Sequence, residues 1–134
     1  MAYTTRAKLD AKFGSINIDS WADLNGNEDE DEIDAAVEQA IADAEGEVNL
    51  LLRGGIYAVP FTGTIPVAIQ TAATILAAAL LFTNRGVIDT GDGESNVIQG
   101  LADTERTKLH QIKAGRILLE IPTDYASGPK AVND

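Results

Sequence analysis

Cysteine is absent from this chain of 134 residues, and histidine occurs once, at His110. Without thiols the chain can form no disulfide, no thiolate nucleophile and no cysteine-ligated zinc site. A single histidine also excludes a multi-histidine metal site within one chain. These absences rule out several classes of redox and metal-dependent enzyme, and they are compatible with a reducing compartment.

Basic residues are few: ten Lys and Arg stand against twenty-one Asp and Glu, which gives a net charge of −11. Tight binding of nucleic acid depends on Lys and Arg side chains that neutralise phosphates. An anionic membrane surface would repel an acidic protein for the same reason. The composition therefore argues against nucleic acid or membrane as a tightly bound partner.

Aromatic residues make up only 5% of the chain, whereas hydrophobic residues make up 45%. The hydrophobic fraction is that of a globular protein, and the length suits one domain. The core must therefore consist mainly of Ala, Ile, Leu and Val, which favours closely packed helices. Trp21 and Tyr57 are interpreted as core anchors.

Neither a signal peptide nor a membrane span is predicted. Residues 1–6 lack the basic and apolar regions of a signal peptide. Residues 65–82 carry no charge, but they are somewhat shorter than the roughly 20 residues a bilayer requires. Alanines, Gln70, Thr71 and Thr74 also dilute their hydrophobicity. We expect a central buried helix in this region.

The first third of the chain predicts one short helix followed by an irregular segment. Thr4 can cap a helix over residues 5–13, which Gly14 would end. Residues 15–27 are rich in turn-forming residues. Their expected apolar anchors are Ile16, Ile18, Trp21 and Leu24.

A long helix is the clearest prediction. Apolar residues recur at spacings of three and four: Ile33, Val37, Ala40, Ile41, Ala44, Val48, Leu51 and Leu52. An acidic run leads into this helix, where carboxylates favour the positive end of the helix dipole. Gly54 and Gly55 should end it.

The second half predicts two further helices. Residues 56–64 read as an extended connector with a turn, and Pro66 is suited to the first turn of a helix that runs to about Asn84. Residues 90–95 are expected to form a loop. A last helix is predicted over residues 96–114, with Val97, Leu101, Leu109 and Ile112 inward and Gly115 just past its end. The apolar run 117–121 reads as strand-like.

These elements together predict a mainly α fold: a small bundle of about four helices with a short C-terminal extended segment. Residues 1–122 are expected to form the helical domain. Residues 123–134 are expected to form a flexible C-terminal tail.

Residues 23–34 begin like a calcium loop, because oxygen-bearing side chains alternate from Asp23. The sixth position should be glycine, but it is Glu28, and the bidentate twelfth position is Asp34. A solvated acidic loop is therefore preferred. No metal, no cofactor and no catalytic residue is predicted, since His110 belongs to no recognisable arrangement of nucleophile and base, and an enzyme is not expected.

The order of elements resembles the small head–tail connector proteins of tailed bacteriophages, also called adaptor or head-completion proteins. The resemblance is carried by the helix end at residues 44–53, the connector at 57–60, the Pro-started helix and the closing segment at 109–119. The opening residues 2–5 are also similar. Two features depart from the family pattern: Arg53 and Tyr57 are separated by three residues, and the alanine-rich helix lacks a frequent tyrosine.

The resemblance implies a structural subunit of the phage neck. About a dozen copies would form an adaptor ring between the portal and the tail or stopper, extending the DNA channel. The implied partners are further copies of the chain, the portal protein and the next neck or tail protein, while DNA passes through without specific binding. The implied location is the virion neck, and the host cytoplasm during assembly.

Two sets of residues are candidates for contacts in such a ring. The candidate interface residues are Ile117, Leu118, Leu119, Ile121 and Tyr125. The acidic candidates to face the channel or solvent are Glu28, Asp29, Glu30, Asp31, Glu32, Asp92 and Glu94. The run 117–121 could bind a neighbour or pair within its own domain, and the sequence leaves both open. Alternative functions are another virion role, as a tail-completion or decoration subunit, and an acidic calcium-responsive binding module.

Overall fold

The computed structural model describes residues 2–84 and 93–122. Its helices are α1 (Arg6–Phe13), α2 (Ser15–Ala22), α3 (Glu30–Leu52), α4 (Val67–Asn84) and α5 (Gly93–Lys113). No strand occurs in these two ranges, which confirms the predicted mainly α fold. The described part of the chain contains five helices rather than the expected four or so.

Helix α3 follows its predicted pattern closely. The Asp29 carboxylate caps the helix by accepting hydrogen bonds from the backbone N–H groups of Asp31 and Glu32, at 3.0 and 3.4 Å. Such a cap satisfies donors that have no partner inside the helix. The buried residues are Ile33, Val37, Ala40, Ile41, Ala44, Val48 and Leu52, and Leu51 is half-buried.

Helix α4 is the centre of the bundle, and it packs against each of the other four described helices. Of the helices in the described ranges, it alone is long and apolar enough to cross a membrane by length and composition. However, 61% of this segment is buried inside the protein. This burial is that of a core helix, as the sequence predicted. Small alanine side chains let the neighbouring helices approach closely.

The three long helices alternate in direction. Arg106 of α5 contacts Glu47 of α3 at 2.6 Å. Gly55, which follows the last residue of α3, lies against Lys113 at the end of α5. Helices α3 and α5 therefore run in the same direction. Gln99 near the start of α5 bonds Thr83 at the end of α4, so α4 runs the opposite way. The ends of α3 and α5 therefore lie together at one end of the bundle.

The N-terminal prediction named the wrong capping residue. The Thr5 hydroxyl, and not that of Thr4, caps α1. Thr4 is instead buried, with its hydroxyl 2.6 Å from that of Thr74 on α4. A buried hydroxyl needs a hydrogen-bonding partner, and a cap position would have left it in solvent.

The segment predicted to be irregular after Gly14 contains a second helix, α2. Trp21 packs edge-to-face on Phe82 of α4 and on Phe13 of α1, with ring centroids 5.3 and 5.9 Å apart. These tertiary contacts outweigh the turn preference of Ser, Asn and Asp. Ile18 and Trp21 are buried as expected, but Ile16 and Leu24 are exposed.

Helix α5 shows the largest error of register. The prediction placed Val97 and Leu101 inward, but both are exposed, whereas Leu109 and Ile112 are buried as expected. The inward stripe consists of Ile98, Ala102, Glu105, Leu109 and Ile112, at spacings of four, three, four and three. Because a carboxylate sits within this stripe, counting apolar residues alone gave the wrong face. The helix also starts at Gly93, inside the predicted loop.

Helix α5 ends just before Gly115, as the sequence predicted. Gly115 has a φ of 82°, which glycine adopts without steric cost. The N–H of Arg116 bonds the carbonyl of Gln111, and that of Gly115 bonds the carbonyl of Ile112. This is the Schellman arrangement, which satisfies the last carbonyls of a helix. Residues 114–122 form no regular element, so the strand-like reading of 117–121 was wrong.

Candidate interaction surfaces

The connector between α3 and α4 is fastened by tyrosine hydroxyls. The Tyr3 hydroxyl accepts the backbone N–H of Phe61 at 2.7 Å and donates to Asn49 Oδ1 at 2.6 Å. Tyr57 and Phe61 are buried, and the Val59–Pro60 peptide is cis.

The buried Tyr57 bears out its prediction as a core anchor, as the buried Trp21 does. The role of Tyr3 was missed, because nothing in its local sequence signals a partner 58 residues away.

Burial raises the pKa of the Tyr3 phenol above its ordinary value, although the hydrogen bond from Phe61 works in the other direction. The negative charge of Glu45 raises it further. A raised pKa keeps this hydroxyl protonated and able to donate to Asn49 over the physiological pH range.

The C-terminal segment divides into inward and outward residues. The backbone N–H of Leu119 donates to the Tyr57 hydroxyl at 2.6 Å, and the Leu119 side chain is buried. Ile121 is half-buried against the core. Leu118 is 68% exposed and Ile117 36%. The segment thus packs on its own domain through Leu119 and presents Leu118 to solvent.

Partner binding by these residues stays a prediction, and part of the candidate set falls outside the described structure. Tyr125 and Asp92 lie outside the described residues, and the Glu94 side chain is also not described although its backbone belongs to α5. Of the predicted interface residues that the structure describes, Ile117 and Leu118 are the exposed ones.

We call the cleft between α2 and the start of α3 the acidic corner. It has a volume of about 600 Å³. Its lining residues are Arg6, Asp19, Ser20, Asp23, Glu28, Glu30, Ile33 and Asp34. Two of these residues, Glu28 and Glu30, belong to the predicted acidic set. The carboxylates that were not predicted are those of Asp19, Asp23 and Asp34.

Arg6 joins three elements at this corner. Its guanidinium contacts Asp10 at 2.8 Å, Asp19 at 2.5 Å and Asp34 at 3.9 Å. Burial lowers the pKa of Arg6, but the hydrogen bonds to Asp10 and Asp19 outweigh this and raise it overall. Arg6 therefore stays charged and ties α1 to α2 and α3. Local spacing could not indicate this arrangement, because the carboxylates that contact Arg6 come from three separate helices.

The segment considered as a calcium loop is held by hydrogen bonds within itself. The Asp23 carboxylate accepts hydrogen bonds from the backbone N–H groups of Asn27 and Glu28, at 3.2 and 3.1 Å. Glu28, where calcium loops have glycine, adopts a φ of 57°. Within the described residues, no three His, Cys, Asp or Glu side chains are grouped so that they could hold a metal ion.

The opposite end of the bundle is basic. Arg53, Lys113 and Arg116 are exposed, and none of them forms an ion pair with another described residue. They lie together because Gly55 packs against Lys113: a Cβ at Gly55 would stand 2.8 Å from the Lys113 carbonyl oxygen. We call these three residues the basic end. Glu120 is an exposed acid nearby in sequence.

An apolar groove of about 220 Å³ lies beside the basic end, between α4 and α5. Its apolar lining includes Ala68, Ala72, Leu109, Ile112 and Ile117. Glu105 also lines it, although only 6% exposed, and pairs with Lys108 at 3.3 Å. The groove continues to the C-terminal segment through Ile117.

The described part of the chain is all-α, and its surface has clefts lined by charged or by apolar side chains. The family model described as Bacteriophage Mu, Gp36 matches residues 3–133. The chain belongs to this bacteriophage family. No curated protein matches the sequence. The expected origin in a phage is thereby confirmed, at the level of the family.

Proposed function

We propose that this protein is a structural subunit of the phage neck. Copies of it form an adaptor ring between the portal and the tail or stopper and extend the DNA channel. The observation that carries the proposal is the match of residues 3–133 to a bacteriophage family. The resemblance of the helix order to head–tail connector proteins narrows the role to the neck.

The charge of the chain supports a channel role. A ring through which DNA slides must not hold the phosphates, and a net charge of −11 repels them without specific contacts. Exposed acids at the start of α3, which include Glu28, Asp29 and Glu30, can face such a channel. Arg6 and Arg106 add little attraction, since both are paired with carboxylates.

The surface also supports a role in assembly. Ile16, Val67, Val97 and Leu118 are each more than 60% exposed, so their apolar side chains are available for contact with a neighbour. In assemblies such residues are covered by a neighbour. In the proposed neck, the portal, the next neck or tail protein and adjacent copies of the chain provide this cover.

The test mixes purified chain with its portal protein and images the particles by negative-stain microscopy. We expect a ring coaxial with the portal, and a coelution of the two proteins on size exclusion. Leu118→Asp should weaken binding, because it places a charge in an apolar contact. Ala42→Asp, which adds the same charge at an exposed position of α3, is the matched control. A wild-type chain that never associates with the portal would refute the proposal.

A further inference from the structure

Two surfaces at different ends of the molecule combine exposed apolar side chains with opposite charge. Helix α3 has 23 residues, so its two ends are about 35 Å apart. The acidic corner contains the start of this helix, and the basic end contains Arg53 just after its last residue. The separation means that one molecule cannot bring the two surfaces together itself.

At the basic end, the apolar part is Ile117 and Leu118, and the charged part is Lys113 and Arg116. Leu118 is 68% exposed, and the apolar groove between α4 and α5 reaches Ile117. The two cations have no ion-pair partner among the described residues, so their charge is available to a partner. A fitting partner surface is apolar with an acidic rim.

At the acidic corner, the apolar part is Ile16 and Leu24. Ile16 is 82% exposed, and it lies one helical turn before Ser20, which lines the cleft. Leu24 is 55% exposed and directly follows Asp23 of the cleft. Ile16 and Leu24 therefore lie close in the chain to carboxylates of the cleft, and these outnumber Arg6, the one cation among its described lining residues.

We propose that the occupant of the basic end is the acidic corner of a second copy of this chain. Each surface supplies what the other lacks: Leu118 and Ile117 meet Ile16 and Leu24, and the free cations meet the surplus carboxylates. Charge complementarity of this kind selects the partner and fixes its orientation. Burial of the four apolar side chains supplies the attraction that salt does not screen.

The contact joins two different surfaces, so it is heterologous. Every copy that binds one neighbour through its basic end still presents a free acidic corner to the next. Such contacts generate a closed ring when the rotation between copies closes, and a filament otherwise. This inference deepens the proposed neck function and rests on it, because it identifies the surfaces by which copies of the adaptor join.

The test uses two charge-reversal variants of the full chain. In the first, Lys113→Glu and Arg116→Glu make the basic end acidic. In the second, Glu28→Lys and Glu30→Lys make the acidic corner less negative, at exposed carboxylates that form no ion pair among the described residues. Sedimentation velocity over a concentration series at low salt measures the self-association of each variant, of an equimolar mixture and of wild type.

We expect each variant alone to associate about tenfold more weakly than wild type or worse. In the first variant two acidic surfaces face each other, and in the second the corner no longer has a surplus of carboxylates to attract the basic end. The equimolar mixture should regain association, since the unchanged basic end of the second variant meets the unchanged acidic corner of the first. Circular dichroism checks that both variants are folded. A folded variant that associates like wild type, or a mixture that stays as dissociated as its components, would overturn the proposed contact.

The same samples mixed with portal separate the two proposals. Wild-type rings whose formation is insensitive to both reversals would refute this contact and leave the neck function standing. Wild-type chain that forms no assembly either alone or with portal would refute both, the neck function included.

Discussion

At the residue scale, the tyrosine hydroxyls hold segments that the helices leave unfixed. The described N-terminal residues before α1 and the α3–α4 connector contain no regular element. The Tyr3 hydroxyl accepts the buried N–H of Phe61 in the connector, and the Tyr57 hydroxyl accepts the buried N–H of Leu119 in the C-terminal segment. An unpaired buried N–H costs free energy, so each of these hydroxyls has a larger effect than its number of bonds suggests.

Tyr3→Phe should lower the free energy of unfolding by about 1–3 kcal/mol, because it leaves the buried Phe61 N–H without its acceptor and frees Asn49. The ring itself remains and keeps its edge-to-face contact with Phe61. Urea unfolding of the two proteins measures the difference. An unchanged midpoint would show that water replaces the hydroxyl at no cost.

The raised pKa of Tyr3 predicts a loss of stability in alkali. A group whose pKa is higher in the folded state contributes stability that is fully present below its unfolded pKa of about 10. This contribution is lost as the pH rises through the folded value. The free energy of unfolding of wild type should therefore fall above about pH 10 more steeply than that of Tyr3→Phe. Parallel pH profiles for the two proteins would contradict this.

Two glycines form a matched pair. Gly55→Ala should destabilise the protein by about 1–3 kcal/mol, because the new Cβ would meet the Lys113 backbone at 2.8 Å. Gly46→Ala, inside α3 with open space around it, should stabilise by about 0.5–1 kcal/mol through helix propensity. Thermal melting distinguishes them. Equal shifts for both variants would mean that the two chain segments at Gly55 do not pack as described.

At the element scale, the sequence predicted well wherever one helix face is purely apolar. Helix α3 shows this, because its stripe from Ile33 to Leu52 needs no knowledge of the rest of the fold. Helix α4 was equally clear from its uncharged length, and Gly115 marked the end of α5. These are local signals that a single sequence contains.

The errors arose in segments whose structure depends on contacts with residues distant in the sequence. Glu105 lies in the buried stripe of α5 and pairs with Lys108. Because a charged residue is expected to face solvent, the wrong face of α5 was predicted to be buried. Helix α2 is stabilised by Trp21 against Phe82, more than sixty residues away. The acidic corner likewise depends on Arg6 reaching α2 and α3. Such pairings are not visible in local spacing.

The element that closes the fold at its C-terminal end is the segment held by Tyr57 and Leu119. Deleting residues 123–134 should leave the melting temperature within a few degrees of wild type and weaken binding to portal. A deletion of residues 118–134 is the control, and it should destabilise the protein because it also removes the buried Leu119. Loss of folding on the shorter deletion would mean that the tail belongs to the core.

At the scale of the whole molecule, charge is distributed unevenly along the bundle. The start of α3 is acidic and the ends of α3 and α5 are basic, although the chain as a whole carries −11. Isolated copies of so acidic a chain repel each other over long distances, and the proposed contacts between unlike ends would offset this at short range. Assembly should consequently depend on orientation and on salt, with exposed charge pairs screened over roughly 10 Å at 0.1 M ionic strength.

Assembly on the portal is tested most directly by native mass spectrometry of the chain mixed with its portal oligomer. The proposed function predicts a complex whose mass corresponds to the portal plus about a dozen copies of the chain, as a closed ring requires. A portal oligomer that retains its own mass in the presence of excess folded chain would contradict it.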